Sequence, residues 1–422
     1  MSKQKLGQAL RGVLLACLLG CAHSGDSPMP APHHVPPVDE GFELALFQST
    51  GVKFEDGAQA QLLYNGKLFD ALVEGIKSAK VSVDIVLYIW RPGDPSDRVL
   101  AALAERTAAG VTCRVLVDPV GSTPAFQKEV MPRLKAARCD VEQFRPVKAG
   151  GAVGLSLARN HRKIVVIDGR LAFTGGFGFH KDWLGNGLSK DQWRDTSVRV
   201  EGNVVAYFQV AFAENWQEAG GPLLLASDFP PLEGPRGKVR SAFVASSVQV
   251  GPSNADRMTQ LAIASARHRL WIANAYFVPP NALLKLLVTK AREGVDVRIL
   301  TTGPVHDVPS IRSAQRASYE GLIREGIHIY EYQPSMMHAK TMVVDDELVV
   351  VGSINFDPLS FNELEEGSFL ALDKGLTQEL TGRFLEDVTH AKEMSLDSPE
   401  LPGPWGKFSR GLFRWMGSTP GR

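Results

Sequence analysis

Two segments, "HRKIVVIDG" at His161–Gly169 and "HAKTMVVDD" at His338–Asp346, carry the same polar residues at the same spacing. His161, Lys163 and Asp168 recur as His338, Lys340 and Asp345, and Gly175 recurs as Gly352, every pair 177 residues apart. A constant offset across four positions marks a gap-free repeated block, so the chain is constrained to fold as a duplicated unit. On extended backbone, side chains alternate faces, and "HxK" therefore presents an imidazole and an ammonium side by side. That pair makes a poor core and a good anion site. Asp168 and Asp345 have the opposite parity and are read as structural parts of the motif, turned toward neighbouring scaffold.

The repeat extends upstream. "LFDALVEGIKSAK", "VSVDIVLYIW", "RVLAALAERTAAG" and "VTCRVLVD" read as helix, strand, helix and strand; "MTQLAIASARHR", "LWIANAYFVP", "ALLKLLVTKAREG" and "VDVRILTTG" repeat that order. Ser78-Ala79-Lys80 matches Ser265-Ala266-Arg267, and Tyr88 matches Tyr276. With 422 residues, 44% of them apolar and 22% charged, the chain has core enough for two units. The expected fold class is α/β: two pseudo-symmetric layered halves, 61–230 and 238–398, joined through the Pro/Gly-rich stretch Asp228–Lys238 and packed around one shared site. Lys plus Arg (46) balance Asp plus Glu (46), so no global charge draws the protein to nucleic acid.

The ends read differently. Lys3, Lys5 and Arg11 precede "GVLLACLLGC", an apolar stretch too short to span a bilayer, which is signal-peptide anatomy over residues 1–20. Leu18-Leu19-Gly20-Cys21 resembles the bacterial lipoprotein processing box, so Cys21 is expected to carry acyl chains that anchor an exported protein to a membrane facing the periplasm. Ala22, not Asp, follows it, which favours the outer membrane. Residues 21–60 are expected to form a Pro-rich tether with solvated His23, His33 and His34. In the 399–422 tail, "WGKFSRGLFRWMG" gathers Trp405, Phe408, Leu412, Trp415 and Met416 on one helical face and Lys407, Arg410 and Arg414 on the other, an interfacial membrane pattern. Cys113 and Cys139 allow either a disulfide or two buried thiols. Tyr88, Trp90, Tyr276 and Phe277 end their strands, as core residues or as lipid contacts.

Together these residues resemble the phospholipase D superfamily, whose signature is a duplicated HxKxxxxD followed by GG or GS and, two residues on, Asn. The resemblance spans roughly residues 62–395, includes "WRDTSVRVEG" at Trp193–Gly202 and "NFDPLS" at Asn355–Ser360, and is most similar in detail to bacterial cardiolipin synthase-like members. It implies a shared cleft in which one histidine attacks phosphorus to form a phosphohistidine, and the other acts as acid and then base. His161 is the implied nucleophile and His338 the acid/base; Lys163 and Lys340 bind the phosphate oxygens. No metal or cofactor is implied. The carboxylate orienting each imidazole is implied downstream of each His, at Asp195 in "WRDT" and Glu366 in "LEEG", with Glu365 competing for the second role. Asn355 in "GSIN" is the implied phosphate-binding amide, whereas the first half has Gly178 in "GGFG", with a water or His180 as substitute. The expected reaction is phosphatidyl transfer to an alcohol, as in cardiolipin synthesis from phosphatidylglycerol, or hydrolysis with water. The rivals are a nucleic-acid phosphodiesterase, against which the neutral charge, anchor and aromatic tail count, and a non-catalytic lipid-binding protein.

Overall fold

The computed structural model describes residues 35–146, 158–231, 234–249 and 251–398. Most of its strands lie on one continuous sheet path, with Arg159–Asn160 pairing off it and Trp193–Arg194 with Met336–Met337 forming a separate two-stranded sheet. In the first half the order is Asp140–Gln143, Thr112–Val117, Ser82–Leu87, Ile164–Ile167, Leu171–Gly175, Thr196–Glu201 and Glu55–Tyr64. The path then continues through Val239–Ser246, Leu364–Leu372, Leu348–Gly352, Lys340–Val344, Arg269–Asn274, Asp296–Thr302 and His328–Tyr332 to the edge strand Ala391–Met394. The two series mirror each other about the antiparallel junction where Glu55 faces Ser241 and Ala58 faces Val239. The duplication in sequence is thus a twofold in space.

Ser82–Leu87 is buried on both faces, with its one charged residue, Asp84, paired to Arg114 at 2.8 Å. One face packs on the helices Lys67–Ser78 and Ser96–Ala108, through Phe69, Leu72, Val99 and Leu103. The second half packs Asn254–Ser265 and Asn281–Arg292 in the same way. A third core lies between the halves, where the helices Val205–Glu218 and Lys374–Thr389 bury Phe208, Phe212, Trp216 and Phe384 among residues of both sheets. Phe208 of the first half stacks on Phe243 of the second, with centroids 3.8 Å apart. A cleft walled by both halves is therefore held by a single shared core.

The tether expected over 21–60 ends much earlier. Val38–Thr50 is a helix whose Val38, Phe42 and Leu46 join the second half's core, and Glu55–Tyr64 is the first half's junction strand. Phe42 and Leu46, four apart, share one helical face beyond a kink at Gly41, with Val38 ahead of it, and the local Pro and Gly content masked that pattern. Cys21, the linker histidines and the 399–422 tail lie outside the described residues. Among those described, no helix is long and apolar enough to cross a membrane. Cys113 and Cys139 form a disulfide, with Cα atoms 4.6 Å apart. Parallel pairing of Arg114 with Asp140 sets the preceding residues, the two cysteines, opposite one another.

Asp168 and Asp345 each follow a motif strand in a left-handed turn, at φ 54° and 51°. Asp168 accepts the backbone N–H groups of Lys80 (2.9 Å), Val81 (2.7 Å) and Ser82 (2.9 Å). Asp345 does the same for Arg267 (3.0 Å), His268 (2.7 Å) and Arg269 (2.9 Å). Each carboxylate ties the motif strand to the helix–strand turn beside it. Asp168→Ala would leave three donors without this acceptor, and a loss of about 2 kcal/mol in unfolding free energy is expected. Thermal unfolding measures this, and an unchanged midpoint would contradict it.

Candidate active site

His161–Lys163 run just ahead of the strand Ile164–Ile167, and His338 and Ala339 just ahead of Lys340–Val344. Each histidine is therefore placed by the short strand pair that precedes it. Arg159–Asn160 pairs in parallel with Leu364–Glu365, so the next residues on each strand, His161 and Glu366, come together. Met336–Met337 pairs in parallel with Trp193–Arg194, so His338 and Asp195 come together. The His161 Nδ1–Glu366 Oε1 distance is 2.9 Å and the His338 Nδ1–Asp195 Oδ2 distance is 3.0 Å. Asp195 and Glu366 both reach the site, but they are exchanged: each imidazole is oriented by the carboxylate of the other half, not by the one downstream in its own.

Glu365, the competitor for Glu366, faces away, toward the amide of Asn215 and the Arg145 guanidinium. Strand alternation allows only one of the adjacent glutamates to face the cleft. The acids are themselves held. Asp195 accepts from the Trp183 indole (2.7 Å) and the Thr196 N–H (2.8 Å). Glu366 accepts from the Ser360 hydroxyl (2.7 Å) and from that of Ser353. Trp183 and Ser360 lie 177 residues apart, so the repeat places an equivalent donor behind each acid even though the residue types differ. That relation was readable from the offset, but only after the acids were known to need donors.

Both lysines are buried, at 2% and 3% exposure, and each donates to the carbonyl of its own motif histidine: Lys163 to His161 at 2.6 Å and Lys340 to His338 at 2.5 Å. Burial pushes Lys163 well below the ordinary lysine range, and lowers Lys340 to about 8 against the pull of Asp195 and Glu366. Burial, then Lys340, likewise lowers His338 to about 4, and burial lowers His161. Burial acts upward on Asp195, but the His338 contact and the Lys340 charge hold it below the usual carboxylate range. Each histidine feels the lysine of the opposite half, which makes this one site. Two ammonium groups converging with two imidazoles on one cleft suit a phosphodiester.

The walls are aromatic. Tyr88 stands edge-on to His161 at 5.1 Å, with the Lys163 ammonium 5.5 Å from its ring, while Trp183 and Trp193 flank His338 at 5.3 and 4.7 Å. The strand registers make Tyr276 the counterpart of Ile89 rather than of Tyr88, and Trp90 and Phe277, which do correspond, are core. Arg162, between His161 and Lys163, points away from the cleft and is fully buried, bonding the Ala211, Ser246 and Glu366 carbonyls. It fastens the two halves behind the site, a role without a sequence signal because its counterpart is Ala339.

Asn355 is buried at 2% exposure, and its side-chain oxygen has no partner among the described residues. Gly178 departs from it for a steric reason. A Cβ there would lie 2.9 Å from the Ile89 Cβ and 3.1 Å from the Trp183 ring, because the 177–180 segment docks on Ile89 and Trp90. His180 does not replace the missing amide: its imidazole pairs with Asp182 at 2.8 Å.

The sequence matches the family described as cardiolipin synthase, PLD-like domain, over residues 72–216 and 260–388. It is 32% identical over 352 residues to cardiolipin synthase 1 of Bacillus anthracis, covering 80% of this chain and 68% of that protein. It is also 32% identical over 350 residues to cardiolipin synthase A of Pseudomonas putida, covering 81% and 71%. Among solved structures, the phosphatidylserine synthase of Haemophilus influenzae shares the fold at a TM-score of 0.67 and 13% identity, over 88% of this chain and 97% of that one. The chain belongs to the phospholipase D-like family of cardiolipin synthases.

Proposed function

We propose that this chain is a phosphatidyltransferase that moves a phosphatidyl group from phosphatidylglycerol to the hydroxyl of a second alcohol, forming cardiolipin. The observation that carries the reading is the crossed pair of His–carboxylate contacts beside two buried lysines. With Nδ1 turned to Glu366, His161 keeps its Nε2 lone pair for phosphorus. Attack forms the N–P bond and breaks the P–O bond to glycerol, whose oxygen takes a proton from His338. The bound phosphate anion opposes the desolvation that keeps an empty site's His338 neutral. His338 then removes the proton of the entering alcohol, whose oxygen attacks phosphorus and releases His161. Lys163, Lys340 and the Asn355 amide hold the nonbridging oxygens through both steps.

Transfer is favoured over hydrolysis because both histidines are nearly buried, 9% and 6% exposed, between aromatic walls. The Cys113–Cys139 disulfide supports an exported protein. Lipidation of Cys21 and the amphipathic tail would hold the cleft at the membrane surface, facing the periplasm and in our reading at the outer membrane. Incubating the purified chain with labelled phosphatidylglycerol vesicles tests the reading. Cardiolipin and free glycerol are expected, with DNA left intact. DNA cleavage without cardiolipin would reject it in favour of a nuclease, and phosphatidic acid as sole product would make it a hydrolase.

A further inference from the structure

The twofold also breaks in the segments beside the site that follow two corresponding strands. After Thr112–Val117 and Asp296–Thr302, Pro119-Val120-Gly121-Ser122 in the first half aligns with Pro304-Val305-His306-Asp307 in the second, and each segment leads into a helix whose first turn carries a proline, Pro124 or Pro309. In the first half the segment is closed. A Cβ at Gly121 would lie 2.2 Å from the Tyr88 carbonyl oxygen and 2.7 Å from its ring, and the Ser122 hydroxyl donates to that carbonyl at 2.9 Å. In the second half the same positions carry an imidazole and a carboxylate. The His306 ring stacks on Tyr276 with centroids 5.6 Å apart and planes 11° apart, and the Tyr276 hydroxyl donates to Asp307 Oδ2 at 2.6 Å.

His306 Nδ1 lies 3.0 Å from the Val308 N–H and 3.2 Å from Asp307 Oδ1, so its local partners are all on the Nδ1 side of the ring. The His306 side chain is 2% exposed, and its Nε2 has no partner among the described residues. A buried polar atom without a partner costs free energy unless a ligand completes it. The group lies at the reaction centre: Asn274, two residues before Tyr276, is the register partner of Lys340, and the Asp307 charge acts on both Lys340 and His338.

We propose that His306, Asp307 and Tyr276 form a polyol subsite that receives the glycerol headgroup of the alcohol entering or leaving beside His338. The inference rests on the phosphatidyl-transfer reading above. His306 Nε2 and the adjacent Asp307 carboxylate match a vicinal diol: one hydroxyl donates to the carboxylate, and its neighbour, able to donate or accept, meets Nε2 in either ring tautomer. The carboxylate disfavours a second phosphate at this spot, so the phosphate of the incoming lipid lies further out. The first half, with Gly121 and Ser122, offers no such pair, and this assigns the two sides of a near-symmetric cleft to different parts of the substrate.

Partitioning from a common intermediate tests it. The full chain is loaded from a phosphatidyl ester of p-nitrophenol, whose leaving group has no diol, and glycerol and 1-propanol compete as acceptors. Wild type is expected to favour glycerol per mole. His306→Ala, Asp307→Asn and Tyr276→Phe should each cut that preference roughly tenfold, the effect of losing one good hydrogen bond to a substrate hydroxyl, with p-nitrophenolate release by the two uncharged-site variants His306→Ala and Tyr276→Phe within about twofold of wild type. Equal use of the two alcohols by wild type, a preference for ethanolamine over glycerol, or unchanged partitioning in all three variants would overturn the subsite. So would p-nitrophenolate release by His306→Ala and Tyr276→Phe falling in step with transfer, which is the signature of a structural role. If wild type neither releases p-nitrophenolate nor forms cardiolipin from phosphatidylglycerol, the transfer reading itself has failed.

Discussion

His161→Asn is expected to lower phosphatidyl transfer by about 10⁴-fold or more, because it removes the atom that bonds to phosphorus and leaves only electrostatic assistance. Among the described residues the site has no second nucleophile in waiting. Lys163 and Lys340 are committed to the motif carbonyls, and His338 is clamped by Asp195 between two indoles. Asparagine keeps the polar contact toward Glu366, so the fold should survive, and an unchanged thermal midpoint checks that. With phosphorus-labelled lipid and a rapid denaturing quench, wild type should carry acid-labile label and His161→Asn none. Transfer above about 1% of wild type in a folded variant would move the nucleophile to another residue.

The second large effect follows from the exchange of acids between halves. Asp195→Asn should disable His338 and slow transfer from natural lipid by about 10³–10⁴-fold, the usual cost of removing the carboxylate that orients a catalytic imidazole. Glu366→Gln should slow it comparably, through His161. The two variants separate on a donor with a p-nitrophenolate leaving group, which needs no proton. Asp195→Asn should then still load His161 and stall, because no base activates the acceptor, so labelled enzyme accumulates. Glu366→Gln should load poorly and accumulate nothing. Had each acid served the histidine of its own half, the behaviours would be reversed, and that reversal would refute either the crossed pairing or the assignment of His161 as nucleophile.

Much of this was legible without coordinates. The helices and strands between Lys67 and Val117 and between Asn254 and Thr302 fall where the apolar periodicity places them, since each is long enough to average over local irregularity. Asp168 meets scaffold N–H groups, as the odd spacing from His161 led one to expect, but from a left-handed turn beyond the strand's end rather than through parity along extended backbone. Short features misled: the prolines near residues 30–37 masked a helix that is stable only because Phe42 and Leu46 find a core in the distant second half. Trp183, Ser353 and Ser360 as props for the acids, Arg162 as a fastener, and the His306–Asp307 pair all act through partners far along the chain, and no local pattern announces such partners.

The sequence by itself determined the duplication, the α/β character of each half, and the residue types that meet a phosphate, because these follow from offset, period and functional-group chemistry. Only the tertiary structure decided which carboxylate serves which histidine. Parallel pairing of Arg159–Asn160 with Leu364–Glu365, and of Met336–Met337 with Trp193–Arg194, crosses the twofold axis and carries each acid into the opposite half. It also decided why the halves are unequal. At Gly178 and Gly121 a side chain would collide with Ile89 or Tyr88, and whether a Cβ fits is a question of what packs against it in space.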